Sequence, residues 1–310
     1  MVFDRSHQPE VTQIRRAILK TLIYGDLFDY PLLSEEIVRY LSVPASSETI
    51  RRLLDDGAVD GVFDRSDGFF TLPGRTRLIP VRERRGSVAR RKWAAAQRYS
   101  RWIARMPFVR MVAVTGTLAV ENVEPTDDID LFIVTAAGRL WLSRAFVILV
   151  VRAAAVAGDE LCPNYFLSDR KLPFEDRNFF NARELAQMVP LYGADTYCRM
   201  RELNDWVEDY LPHAEGTPNG MPIMRLGPVE RAAKQTVERL LSGRLGAFLE
   251  SWEMHRKIQK FSRRAQTEGG SVAFTPDCCK GHFDHHDEII LQLYEKRLAQ
   301  YGLSMERTDG

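Results

Sequence analysis

The chain has 310 residues, with 43 Lys and Arg against 42 Asp and Glu, so its formal net charge is only +1. This length corresponds to about two or three domains and suffices for a buried core that folds without disulfides or a structural metal. The balanced charge excludes a uniformly basic nucleic-acid coat and a uniformly acidic tail, and 45% hydrophobic residues indicate a globular protein.

Residues 1–75 predict three short helices followed by a hairpin. Apolar residues recur at helical spacing between positions 14 and 22, which predicts the first helix. Ser34 is the expected N-cap of the second helix. The third helix is expected over residues 48–56, with Gly57 as its stop.

A β-hairpin is predicted next, because apolar pairs at 62–63 and 69–70 flank a polar turn at 64–68. Three helices followed by a hairpin resemble a winged helix-turn-helix. That resemblance implies a third helix that enters a DNA groove. Arg51 and Arg52 lie on this helix, but they share it with three acids. DNA binding and a role in protein contacts or packing are therefore both open.

Residues 76–106 predict a basic connector helix. Between residues 75 and 105, eleven Lys and Arg and three interleaved aromatic residues accompany a single acid, Glu83. A basic face with aromatic residues favours a nucleic-acid partner. The alternative is a helix whose aromatic residues pack inward and whose arginines pair with acidic segments elsewhere in the chain.

The rest of the chain predicts an α/β core over residues 107–215 and a helical region over residues 216–310. Strands are expected at 109–115, 129–135 and 164–168, the last beginning after Pro163. Helices are expected at 139–156, 181–188, 196–210, 228–242, 245–266 and 287–301.

The compartment is predicted from the N-terminus, the cysteines and one apolar stretch. The N-terminus is polar and lacks the apolar segment of a secretory signal, and no two of the four cysteines have CxxC spacing. Residues 140–158 are the most apolar run, but two arginines interrupt it, and a spanning helix needs about 20 mostly apolar residues. We expect a cytoplasmic protein with reduced cysteines, a buried helix here and no membrane partner.

The motif with the clearest chemistry is a glycine turn followed by two acids. Gly116 and Thr117 end one strand, and ten residues later Asp128 and Asp130 enter the next. Alternate residues of a strand share a face, so the two carboxylates point the same way. Their repulsion is relieved by a cation, and oxygen ligands suit Mg²⁺ or Mn²⁺. The turn lets a phosphate approach the backbone, and the Thr117 hydroxyl and amide can donate to it.

This pattern resembles the signature of the DNA polymerase β-like nucleotidyltransferase superfamily: glycine, Ser or Thr, about ten residues, then Asp-x-Asp on the next strand. The resemblance implies catalytic and metal-binding roles for Asp128 and Asp130, nucleotide binding at Gly116 and Thr117, and transfer of an NMP from an NTP with two divalent ions. The acceptor is RNA, a protein or a small molecule. The implied fold is α+β, a small mixed-sheet core between the winged-helix unit and the C-terminal helical region.

The chain departs from this family pattern in two places. Residues 120–122 lack the second glycine of many members, and Asn164 stands where active members usually carry a third carboxylate. Asn164 or Glu184 is a candidate for the missing ligand, and Arg183 is the candidate triphosphate contact because arginine grips phosphate bidentately. Other nearby acids that could substitute are Asp159, Glu160, Asp169 and Asp176. The alternative function is a nucleotide-sensing or DNA-binding regulator with an impaired catalytic domain.

A second candidate metal site is the stretch at 275–288, which holds half of the six histidines and the adjacent Cys278 and Cys279. Cys278 and His282 are four residues apart, and His285 or His286 could add a ligand for Zn²⁺. The alternatives are a turn that leads into the last helix, and a segment that folds over the nucleotide pocket with Lys280 or His282 on phosphate.

Overall fold

The computed structural model of the protein describes residues 10–268, 274–280 and 286–305. Its first elements are α1 (Val11–Asp26), β1 (Leu32–Leu33), α2 (Ser34–Arg39), α3 (Ser47–Val59), β2 (Asp64–Ser66) and β3 (Phe69–Thr71). The three strands form an antiparallel sheet in the order β1-β3-β2. Asp67 and Gly68 both have positive φ, as a two-residue hairpin turn requires. The predicted order of three helices and a hairpin is therefore present, and the turn is tighter than expected.

Two predicted helix boundaries in this unit are wrong. Leu33, not Ser34, is the N-cap of α2, and its backbone N–H donates to the Glu36 carboxylate at 2.8 Å. Gly57 does not end α3, which continues to Val59. A Cβ at Gly57 would lie 2.5 Å from the Phe63 ring, so glycine serves here for close packing inside the helix.

The basic connector forms one long helix, α4 (Ile79–Ala104), with its proline in the first turn. Trp93 and Tyr99 are buried, whereas Trp102 is 40% exposed. Seven arginines of the basic stretch at 75–105 pair with acids elsewhere in the described part of the chain: Arg75 with Asp26 and Asp29, Arg82 with Glu36, Arg84 and Arg85 with Glu124, Arg98 with Asp159, and Arg101 and Arg105 with Glu230. These pairs match the packing alternative, and a nucleic-acid partner stays a prediction.

The elements that follow are β4 (Val109–Val114), α5 (Gly116–Ala119), β5 (Ile129–Thr135), α6 (Leu140–Val156), β6 (Leu161–Ser168), α7 (Phe179–Gln187), β7 (Val189–Tyr192), α8 (Ala194–Glu202), α9 (Val207–Tyr210), α10 (Pro228–Leu241), α11 (Arg244–Glu268), β8 (Phe274–Thr275), β9 (Cys278–Lys280) and α12 (His286–Gln300). Within the described residues, β7-β4-β5-β6-β9-β8 is the order of one mixed sheet. Among the described strands of this sheet, β5 and β6 form the parallel pair, and α6 connects them.

Alternation along β5 separates two apolar layers. Leu131 and Ile133 face the layer formed with α4 and α6, whereas Phe132 and Val134 face the layer formed with α7, α8 and α9. Asp130 has the parity of Phe132, so it projects toward α7. Helix α12 packs in the core of the N-terminal unit, where the Tyr294 hydroxyl donates to the Lys20 carbonyl of α1 at 3.0 Å.

Several elements differ from the prediction. β6 begins at Leu161, three residues early, because Pro163 lies at a bulge where its missing N–H is tolerated. The predicted helix at 196–210 is two helices, and Asn204 lies buried between them, where its side chain accepts from the Phe174 N–H and donates to the Leu172 carbonyl. β7, β8 and β9 were not expected. No helix in the described part of the chain is long and apolar enough to cross a membrane.

Candidate active site

Gly116 lies directly against Asp130. Its φ is +65°, which favours glycine, and a Cβ at this position would overlap the Asp130 Oδ2 atom. The glycine therefore lets the carboxylate reach the backbone at the end of β4. This reason differs from the phosphate approach that the sequence predicts, although both need a residue without a side chain.

Thr117 lies in α5, and Asp127 lies in the loop that leads from α5 to β5. The exposed Thr117 has its hydroxyl 3.4 Å from the Asp127 Oδ2 atom, which also accepts the Glu124 N–H at 2.9 Å. Asp127 therefore caps this loop, whereas the Asp128 and Asp130 carboxylates remain available to bind a cation or a ligand.

The two acids of the motif meet a cysteine that no sequence pattern indicated. Asp130 of β5 is the register partner of Cys162 on β6. The carboxylates of Asp128 and Asp130 and the Cys162 thiol each offer an atom, and these three atoms lie within 4.8 Å of one another. This is the one group of potential metal ligands of this kind among the described residues.

Asn164 holds two members of this cluster in place. Asp130 pairs with Cys162 and Phe132 with Tyr165, so β6 has one extra residue between these pairs. This bulge places Asn164 so that its Nδ2 donates to Asp130 Oδ1, while its Oδ1 accepts from the Cys162 Sγ at 2.6 Å. Asn164 is thus a hydrogen-bonding partner of Asp130 here, which differs from the ligand role expected from the sequence.

The electrostatics of the cluster follow from burial and from crowded negative charge. Burial, followed by the Asp128 carboxylate, raises the pKa of Asp130 to about 7, against the hydrogen bond from Asn164. Burial and the two carboxylates raise the pKa of Cys162 to about 12. Burial also raises the pKa of Glu184 to about 7. A divalent cation would reverse these effects by favouring the charged forms.

The cluster adjoins a cavity of about 460 Å³ between the sheet, α7 and the N-terminal unit. Its wall includes Gly116, Thr117, Asp130, Asn164, Arg183 and Glu184. Asp128 and Cys162 belong to the cluster but not to this wall. The structure therefore brings the residues that the sequence selected to one place, with Asp130 shared between cluster and cavity.

An aromatic wall and two lysines complete the cavity. Phe132 and Tyr165 stack with ring centroids 5.0 Å apart, and Phe174 stacks on both. Lys171 and Lys280 line the same cavity, and the Lys280 ammonium lies 5.9 Å from the Tyr165 ring centroid. The parity of Phe132 with Asp130 along β5 was the available sequence signal for this wall.

Arg183 is a buried cation on the cavity wall. It is 2% exposed, and its guanidinium lies 3.7 Å from the centroid of the Tyr40 ring and 4.7 Å from that of Tyr24. Its Nε atom has no hydrogen-bond partner within the described part of the chain. An anion that enters the cavity could accept from this residue.

The other acids proposed from the sequence have other positions. Asp159 pairs with Arg98 of α4, and Asp169 accepts the Ala137 N–H at 3.0 Å. Glu160 is exposed, whereas Asp176 lines the cavity. None of these four belongs to the cluster formed within the described residues.

The stretch at 275–288 is only partly described. Cys278 and Cys279 are buried in β9, which pairs with β6, and Lys280 lines the cavity. His282, Asp284 and His285 lie outside the described residues, as does the side chain of His286. The predicted Zn²⁺ site at these residues therefore stays a prediction.

Comparison of the chain with models of protein families, with curated proteins and with solved protein structures found no match in any of the three.

Proposed function

We propose that this cavity binds a nucleoside triphosphate with a divalent cation and that the protein transfers the NMP to an acceptor. One observation carries the proposal: Asp128 and Asp130 lie together at the edge of the cavity, beside a glycine turn that leaves room for the Asp130 carboxylate. The cavity volume of about 460 Å³ lies in the range of small-molecule sites, roughly 300–1,000 Å³.

The cavity wall supports a nucleotide in particular. Stacked aromatic rings suit a base, since every base has a π-face. Lys171, Lys280 and Arg183 provide positive charge for phosphate oxygens. The ligand set fits a divalent cation, because two carboxylates this close repel unless positive charge lies between them.

In this proposal Asp128 and Asp130 hold the cation, and Asn164 orients Asp130 through its amide. The bound cation would stabilise the negative charge that develops on the phosphates during transfer. Glu184, whose pKa is about 7, can accept and release a proton at neutral pH on the same cavity wall.

The experiment is incubation of the purified protein with each labelled NTP, Mg²⁺ or Mn²⁺, and cell extract. We expect pyrophosphate release and label on an acceptor for the wild type, and neither above background for Asp128→Asn or Asp130→Asn. Asp169→Asn is the matched control, because this acid lies outside the cluster and the cavity wall. Wild-type pyrophosphate release equal to that of Asp128→Asn with all four NTPs would refute transfer.

The second candidate function is a nucleotide-sensing regulator, and the amide of Asn164 in place of a third carboxylate favours it. Cation-dependent NTP binding, measured by calorimetry, without pyrophosphate release would select this function. Loss of that binding in Asp130→Asn would still assign the site.

A further inference from the structure

The cluster contains a third potential ligand that is sulfur and not oxygen. Ligand atoms of Asp128, Asp130 and Cys162 lie within 4.8 Å of one another. Two ligand atoms on one tetrahedral Zn²⁺ lie about 3.6 Å apart, because Zn–S bonds are near 2.3 Å and Zn–O bonds near 2.1 Å. Separations that shrink by roughly 1.2 Å or less therefore bring all three atoms into one coordination sphere.

Asn164 has the contacts of a positioning residue for two ligands. Its amide nitrogen donates to Asp130, and its amide oxygen accepts from Cys162. Hydrogen bonds of this kind orient metal ligands and are typical of the shell around a metal site. Both ends of the Asn164 amide are thus engaged with the ligands themselves.

A buried cation lies on the wall of the cavity that Asp130 also lines. Arg183 lines the cavity that Asp130 also lines, is 2% exposed, and its Nε lacks a hydrogen-bond partner in the described part of the chain. A buried donor without an acceptor is costly, so its position favours a ligand that accepts from it. A cation bound at the two carboxylates would add to the attraction of an anion into the same cavity.

We propose that Cys162 is the third protein ligand of the cation, so that the site binds a thiophilic divalent ion, of the Zn²⁺ or Fe²⁺ class, more tightly than Mg²⁺. The proposal builds on the cation site of the proposed function. Thiolate ligands select softer ions, whereas Mg²⁺ prefers oxygen alone. When the cation binds, the Cys162 thiol loses its proton to solvent, and the resulting thiolate bonds to the cation.

The test is titration of the purified protein with Co²⁺, which absorbs in the near ultraviolet through charge transfer from a bound thiolate. We expect this band in the wild type and in Cys198→Ser, the control at an exposed cysteine. Cys162→Ala is expected to lose the band and at least about tenfold in Co²⁺ affinity. The proposal would be overturned if the wild type saturates with Co²⁺ without showing the band. It would also be overturned if the band persists in Cys162→Ala. The first result needs only the wild type, so it does not depend on whether a variant folds.

Two measurements separate this proposal from the proposed function. Pyrophosphate release that Asp130→Asn abolishes, in a wild type that shows no thiolate band when saturated with Co²⁺, would refute the thiolate ligand and keep the transferase. The thiolate band without pyrophosphate release from any NTP would keep the thiolate ligand and refute the transferase. A wild type that does not bind Co²⁺ refutes the thiolate proposal and the cation site together.

Discussion

Replacement of Gly116 by alanine tests whether the glycine of the motif exists to admit Asp130. The new Cβ would overlap the Asp130 Oδ2 atom and lie 3.1 Å from its Cγ, so the carboxylate must move. We expect Gly116→Ala to lose cation binding, because Asp130 could not stay beside Asp128 and Cys162.

The expected loss in the free energy of unfolding of Gly116→Ala has two parts. A non-glycine residue at φ +65° costs about 1–2 kcal/mol, and overpacking costs about 1–3 kcal/mol more. Gly138 provides a matched control, since its φ is +67° and a Cβ there would meet nothing within 4 Å. Gly138→Ala should therefore show the conformational part alone, about 1–2 kcal/mol.

The assay is urea unfolding of both variants together with calorimetric titration of Mn²⁺. We expect Gly116→Ala to unfold more easily than Gly138→Ala, by about 1–3 kcal/mol, and only Gly116→Ala to lose Mn²⁺ binding. A double variant, Gly116→Ala with Asp130→Ala, removes the overlap and should show a coupling energy of similar size.

Equal free energies of unfolding for the two glycine variants, with Mn²⁺ affinity unchanged in both, would refute this reasoning. Such a result would mean that Asp130 does not need the space beside Gly116. A coupling energy near zero in the double variant would lead to the same conclusion independently of metal binding.

Three further predictions concern buried polar groups. Burial raises the pKa of Asp130 from 3.8 to about 7, so the folded state loses stability as the pH rises through this window. In urea unfolding, the stability of Asp130→Asn relative to the wild type should therefore increase by up to about 4 kcal/mol between pH 4 and pH 7. If this increase is absent, the result contradicts the burial of the Asp130 carboxyl group. Burial lowers the pKa of Lys234 from 10.5 to about 8, so wild-type stability should rise by up to about 3 kcal/mol relative to Lys234→Met between pH 8 and 10.5, as measured by the same method. Asn204→Leu should cost about 2–4 kcal/mol in thermal or urea unfolding, because it leaves buried backbone groups without partners; a loss below about 0.5 kcal/mol would show that these bonds contribute little.

The sequence by itself determined the features whose signal is local. The buried strands at 109–115 and 129–135 follow from the apolar runs at 111–114 and 131–134, and β4 and β5 lie there. Asp130 shares its direction with Phe132 because a strand alternates its side chains, whereas Asp128 precedes β5. The hairpin follows from the polar residues at 64–68 between two apolar pairs, although its turn comprises only Asp67 and Gly68. Each of these depends on neighbours within a few residues.

The tertiary structure decided which distant residues meet. Cys162 joins the acids only because β6 pairs in parallel with β5 at one register, and the bulge there turns Asn164 toward Asp130. β9 and β7 are strands of three and four residues whose short patterns carry little signal until a neighbouring strand supplies hydrogen-bond partners. The arginines of α4 likewise have acid partners that lie tens of residues away. Register and packing are properties of the whole sheet, because one residue of slip would turn every side chain to its other face.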